Sequence, residues 1–203
     1  VKTALDLYRL AAQSGDLRAL YNVGVYYETG NVVDRDLEKA FSLYKLAAEN
    51  GVPQAMHKVG LAYQNRQGTT QDLVAAKSWF ELGSNANHAP CQLSLGAMYE
   101  MGAGVRANPA AAANQYSLAA DQGQPLAMLR LASMFVRGTA TTKNEPDFVK
   151  AWNYAKQAVD ASQGAEIAVK YLEALEGLMN ADQKTQAKKV YEAAKKASGE
   201  AGK

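Results

Sequence analysis

The chain has 203 residues, 48% of them hydrophobic, with 22 basic and 20 acidic side chains and a net charge of +2. That length can bury a substantial core, and the near balance of charge offers no electrostatic grip on nucleic acid or on a membrane surface. The single cysteine, Cys91, excludes an intramolecular disulfide. No apolar run approaches the roughly 18 residues of a membrane span, so no membrane insertion is expected.

A period of 36 organises the sequence. Shifting by 36 aligns Gly24, Gly60 and Gly96, then Tyr27, Tyr63 and Tyr99, then Ala4, Ala40, Ala76 and Ala112, and finally Tyr8, Tyr44, Phe80 and Tyr116. Each unit reads as two helices. The first places Cys91, Leu95, Gly96 and Tyr99 on one face, and the second does the same with Ala112, Tyr116, Ala119 and Ala120. A lone hairpin cannot bury both faces, so the units are expected to stack. Asp36, Asp72 and Asn108 stand four residues before the repeated alanine, where a side-chain acceptor caps the second helix. Gly15, Gly51, Asn87 and Gly123 end it, in the left-handed position that suits Gly first and Asn next.

In chain order, residues 1–15 read as an orphan second helix. Four full units follow at 16–51, 52–87, 88–123 and 124–164. Because Val1 opens inside a unit, the N-terminus is read as a truncation or processing point. In the second full unit Gly30 is replaced by Arg66, and Gly68 is expected to take over the turn. The fourth is longer: Phe135 to Ala151 is 16 positions where Tyr27 to Ala40 is 13, and Ala151 to Gly164 is 13 where Ala40 to Gly51 is 11. Both excesses are expected in connections, which absorb length cheaply. Residues 165–197 read as an amphipathic capping hairpin, its last helix with Ala187, Val190, Tyr191 and Ala194 inward and Lys184, Lys188, Lys189, Lys195 and Lys196 outward. Residues 198–203 are expected to be disordered.

The segments LGAMYEMGAGVRANPAAAANQYSLAADQG and VGVYYETGNVVDRDLEKAFSLYKLAAENG resemble Sel1-like repeats, relatives of the tetratricopeptide repeat. The resemblance covers about residues 3–164. It implies an all-α fold, a right-handed superhelical α/α solenoid, and a role as an adaptor or scaffold for other proteins. Members are frequent among exported bacterial proteins, which favours a periplasmic or secreted location and leaves the cytoplasm open. The chain departs from the pattern at Ala132, where the family has Gly, at Phe135, where it has Tyr, and beyond 164.

No constellation for catalysis stands out. His88 and Cys91 are two potential metal ligands where a closed zinc site needs four, and Cys91 shares its column with Ala19, Ala55 and Ala127, which reads as a packing position. No cofactor or metal is expected. GAGV at 102–105 follows a helix rather than a strand and so fails as a phosphate loop. The Gly column is read as the socket for the Tyr27, Tyr63, Tyr99 and Phe135 rings. The lysines of the last helix read as a solvated face, not a nucleic-acid patch.

The functional expectation is a non-catalytic, protein-binding scaffold. Its first helices present Tyr21, Val25 and Glu28, then His57, Leu61 and Gln64, then Leu93, Ala97 and Glu100, then Leu129, Ser133 and Val136 toward a concave groove. Such a strip suits a peptide or an amphipathic helix of a partner protein. Three alternatives stay open: an accessory domain of a larger enzyme or receptor, a cell-envelope protein that binds polysaccharide or peptidoglycan, and self-association through the exposed apolar positions.

Overall fold

The computed structural model describes residues 3–197, and the expected disorder of 198–203 falls outside the described residues. Among the described residues there are eleven α-helices and no strand. They fall into two units, Val1–Ala107 and Asn108–Lys203. The first contains α1 (Ala4–Gln13), α2 (Leu17–Thr29), α3 (Leu37–Glu49), α4 (Pro53–Asn65), α5 (Leu73–Asn85) and α6 (Ala89–Met101). The second contains α7 (Pro109–Asp121), α8 (Pro125–Val136), α9 (Phe148–Ala161), α10 (Glu166–Leu178) and α11 (Ala181–Ala197). Within each unit every helix packs on the next along the chain, apart from α11, which returns to α9.

The helix boundaries have identifiable causes. The side chains of Asp36, Asp72, Asn108 and Asp147 accept amides of the first turns of α3, α5, α7 and α9. The backbone amides of Asp36, Asp72 and Asp147 also donate to the carbonyls of Tyr27, Tyr63 and Phe135 at 2.9–3.0 Å. The helices α3, α5 and α9 are thereby clamped at their starts to α2, α4 and α8. At the other end, Gly15, Gly51, Asn87, Gly123 and Gly164 all take φ between 56° and 91°, and the one asparagine meets the same left-handed requirement as the glycines. Arg66 itself adopts the left-handed cap, at φ 59°, so the turn is not handed on to Gly68 as expected. Gly68 serves a different purpose: a Cβ there would collide with the Leu37 carbonyl.

The Gly column does not receive the rings assigned to it above. A Cβ on Gly24 would lie 2.7 Å from Cε1 of Tyr44, and Gly60 stands the same way on Phe80. The socket therefore closes the α2–α3 and α4–α5 hairpins on the aromatic column of their own second helices. The Tyr27 column bridges backwards instead. Arg9 of α1 donates to the Tyr27 hydroxyl at 3.0 Å, Tyr63 meets Phe41 of α3 edge-on at 5.3 Å, and Tyr99 donates to Glu81 of α5 at 3.2 Å. One column holds a hairpin shut and the other holds hairpins together.

In the second unit the α8–α9 hairpin is closed differently. Ala132 replaces the glycine, Ala155 replaces the ring, and both are fully buried. Trp152 belongs to the same cluster, with Leu175 of α10, Met179 just beyond it and Ala187 of α11, and its indole donates to Glu176 of α10. Of the extra length between Ala151 and Gly164, one residue lies inside α9, which has 14 residues against 13 for α3. The other gives Gln163 a left-handed φ of 54°. The expectation that both fell in connections is corrected. On α11, Ala187 is buried and Tyr191 packs edge-on against Trp152 at 6.0 Å. Val190 is 47% exposed and Ala194 is exposed, whereas Lys184 and Lys195 are half-buried. The inward face is narrower and rotated from the one expected because α11 leans on α9 along the single i, i+4 line of Ala187 and Tyr191.

Candidate partner-binding face

The twelve predicted residues fall on four first helices. Nine of them lie on α2, α4 and α6 of the first unit and three on α8 of the second. Every one is half-buried, so none is absorbed into the core and none stands free of its neighbours. In the first unit Tyr21 packs on Tyr44 at 5.5 Å, and Leu61 leans on the cluster built from Phe80, Leu95 and Met98. Val25 borders the cluster of α3 and α4.

Polar side chains tie neighbouring first helices together across this face. Glu28 of α2 accepts from Lys58 of α4 and from the Tyr44 hydroxyl, both at 2.7 Å. Burial, reinforced by that carboxylate, raises the Tyr44 pKa well above the ordinary phenol value. His57 of α4 and Ser94 of α6 are hydrogen-bonded at 3.1 Å. Lys58 and Ser94 were not foreseen; their column reads Asn22, Lys58, Ser94 and Arg130, which gives no repeat signal.

The Ser94–His57 pair has the elements of a hydroxyl and a base, but its surroundings suit a structural tie. Burial lowers the His57 pKa to about 4, with His88 and Lys58 adding to the effect. An imidazole of that pKa is a poor base near neutrality. Both residues sit in the middle of helices whose amides are spent on the backbone ladder, leaving no N–H pair to hold an oxyanion. His88 approaches within 5.8 Å of His57, ring to ring, and its Nδ1 lies 3.3 Å from Sγ of Cys91. Cys91 is fully buried, and burial pushes its thiol up to about 12, so it stays a protonated packing group. Among the described residues no group of three or more His, Cys, Asp or Glu is arranged to hold a metal ion.

In the second unit the face is partly covered by the chain itself. Tyr171 of α10 hydrogen-bonds Ser133, and burial raises the Tyr171 pKa. Val136, Tyr171 and Leu172 border the same cluster. Of the three positions predicted on α8, Ser133 thus meets α10 directly.

A family model described as the Sel1 repeat matches residues 1–16, 17–52, 53–88, 89–124 and 125–163. The chain belongs to the Sel1-repeat family. Among solved structures, this Sel1-repeat chain is similar to c5321, a protective antigen present in uropathogenic Escherichia coli strains and displaying an SLR fold. The two share 26% identity at a TM-score of 0.84, over 95% of this chain and 40% of that one. A Sel1 repeat protein from Oxalobacter formigenes shares 25% identity at a TM-score of 0.72, over 78% of this chain and 64% of that one. The chain therefore spans less than two thirds of either relative's length. No curated protein matches it in sequence. No described helix is long and apolar enough to cross a membrane.

Proposed function

We propose that this Sel1-repeat chain is a non-catalytic scaffold that holds an extended peptide or an amphipathic helix of a partner protein against the α2–α4–α6 face. The observation that carries the reading is the state of that face after packing. Tyr21, Val25, Leu61, Leu93 and Ala97 remain half-exposed, while Glu28–Lys58 and His57–Ser94 fix the polar groups around them. An apolar strip with pre-paired polar neighbours gives a partner contact area without requiring the scaffold to reorder. Leu129, Ser133 and Val136 form a smaller patch of the second unit, bounded by α10.

The test is capture of partner proteins by the wild type and by a chain carrying Leu61→Asp with Leu93→Asp, followed by mass spectrometry. A protein retained by the wild type and lost from the variant, with helicity unchanged, is the expected result. Equal retention by both chains overturns the assignment to this face. Since the chain spans 40% of the E. coli antigen, a role as the repeat portion of a longer protein belongs to the same proposal.

A second reading, polysaccharide binding, draws on a cavity of about 390 Å³ lined by Tyr8, Asn22, Val25, Tyr26, Thr29 and Asn31. Two aromatic rings beside amides and a hydroxyl, with no charge, suit a neutral sugar ring. Glycan binding that is lost in Tyr26→Ala, without capture of any protein, would move the function to this cavity.

A further inference from the structure

Shifting by the repeat period aligns Tyr99 with Tyr63 and Tyr27, and its partner Glu81 with Lys45 and Arg9. Between α5 and α6 the contact is complete. The Tyr99 hydroxyl donates to the Glu81 carboxylate at 3.2 Å, and that carboxylate also pairs with Lys77 at 2.5 Å. Between α1 and α2 a cation stands where the carboxylate was. Arg9 donates to the Tyr27 hydroxyl at 3.0 Å, and Lys39 of α3 is a second donor to the same oxygen, its ammonium 4.3 Å from the ring centre. Lys39 aligns with Ala75 and Ala111; where α9 restores it as Lys150, the ring beneath is Phe135, which has no hydroxyl. Only the first of these contacts joins a phenol to two cations.

Two donors therefore point at one phenol oxygen, and its own proton meets no acceptor among the described residues. The Lys39 hydrogen bond, and after it that of Arg9, holds the phenol pKa below its ordinary value, which makes the hydroxyl a stronger donor. Lys39 forms no ion pair among the described residues. Two nearby carboxylates are committed to helix starts. Asp6 closes the capping box of α1 with Thr3 and reaches Arg9 only at 3.7 Å, and Asp36 accepts the Lys39 amide. Arg9 and Tyr27 are half-buried, Lys39 is exposed, and Tyr27 opens onto a cleft beside the 30–36 connection.

We propose that Arg9, Tyr27 and Lys39 form an anchoring site for a carboxylate side chain of an acidic partner peptide. A carboxylate only accepts, and its two oxygens can take the phenol proton and both cationic donors at once. Glu81 already plays that part between Tyr99 and Lys77. A single negative charge is favoured over a phosphate dianion, because the exposed Asp34 and Glu38 line the same cleft and repel the second charge. None of the residues proposed for the partner-binding face takes part, so this site stands or falls separately from that face.

Nuclear magnetic resonance of the full chain with isotope-labelled tyrosine rings tests this, with Tyr27→Phe identifying the signal. An end-blocked Gly-Glu-Gly peptide is titrated in at constant ionic strength, beside Gly-Gln-Gly and inorganic phosphate. The glutamate peptide is expected to shift the Tyr27 signal saturably and to raise the pH at which Tyr27 ionises, and the glutamine peptide to do neither. Both effects should be lost in a chain with Arg9→Gln and Lys39→Gln. Arg9→Glu places a carboxylate beside the phenol from α1 itself; it should raise the ionisation pH of Tyr27 without peptide and abolish the response to peptide. Circular dichroism should find the variants as helical as the wild type. Equal shifts with the two peptides, or a glutamate-peptide shift that survives the double substitution, overturn the proposal. Saturation by phosphate with none by the glutamate peptide also overturns it and reassigns the two cations to phosphate.

Discussion

The α4–α5 hairpin of the first unit and the α8–α9 hairpin of the second solve one packing problem in opposite ways. The first seats the Phe80 ring on Gly60, and a methyl group on that glycine would have no room. The second has two fully buried alanines, Ala132 in the glycine column and Ala155 in the ring column. Two small residues permit close helix approach as a glycine under a ring does, and the two columns must change together for the contact to stay packed. The substitution of Ala132 for the family glycine is therefore one half of a swap, and Ala155 is the other.

That comparison can be broken experimentally. Phe80→Ala should cost about 3–5 kcal/mol, because it leaves a ring-sized void above a glycine. Gly60→Ala alone should also destabilise, against the helix propensity that favours alanine by about 1 kcal/mol, because its methyl meets the ring. The double variant reproduces the alanine pair of the α8–α9 hairpin and should cost less than the sum of the singles. Additivity in urea unfolding would show that the two positions are not one contact.

Acid should separate the two units next. Both histidines of the chain, His57 and His88, lie in the first. Unfolded, His57 takes a proton below about 6.5, whereas in the fold it does so only below about 4. Between those values the unfolded chain binds more protons, so stability is complete above about 6.5 and falls as the pH drops toward 4. The loss is expected to be about 2 kcal/mol after allowance for the partial exposure of the ring. Trp79 packs in the first unit and Trp152 in the second, and their fluorescence in single-tryptophan chains separates the responses. His57→Leu should flatten the Trp79 profile over this range; an unchanged profile would place the acid sensitivity elsewhere.

The smallest expected effect is at the caps. Asp72→Ala removes an acceptor shared by the amides of Val74 and Ala75 and should cost about 1 kcal/mol. Asp147→Ala should cost about the same, since it too removes an acceptor from the first turn of its helix, that of the Lys150 amide. A clear inequality in thermal midpoints would show that the longer loop before α9 contributes to the cap.

The repeating columns made the caps, the helix ends and the buried alanines legible, because those requirements are local and recur with the period. The partner of the glycine column was misassigned for a physical reason. Periodicity states that Gly24, Tyr27 and Tyr44 recur together, but which pair touches depends on how the helices are rotated, and that is settled by packing. Lys58 and Ser94 were invisible for a related reason, since each tie is made once and leaves no column. Leu10, Leu46, Leu82 and Leu118 show the converse, a column that recurs with the period yet stays exposed, so recurrence alone does not mark a position as inward.

The clamp between the Asp36, Asp72 and Asp147 amides and the carbonyls of Tyr27, Tyr63 and Phe135 makes each hairpin connection a port rather than a hinge. Both of its ends are pinned by the helices, so the segment between them is free to change. The protein already exercises that freedom, running from 30–36 between α2 and α3 but from 137–147 between α8 and α9. A fluorophore peptide or an epitope spliced between the exposed Thr142 and Lys143 would ride on the hairpin without altering the spacing of the helices that carry it.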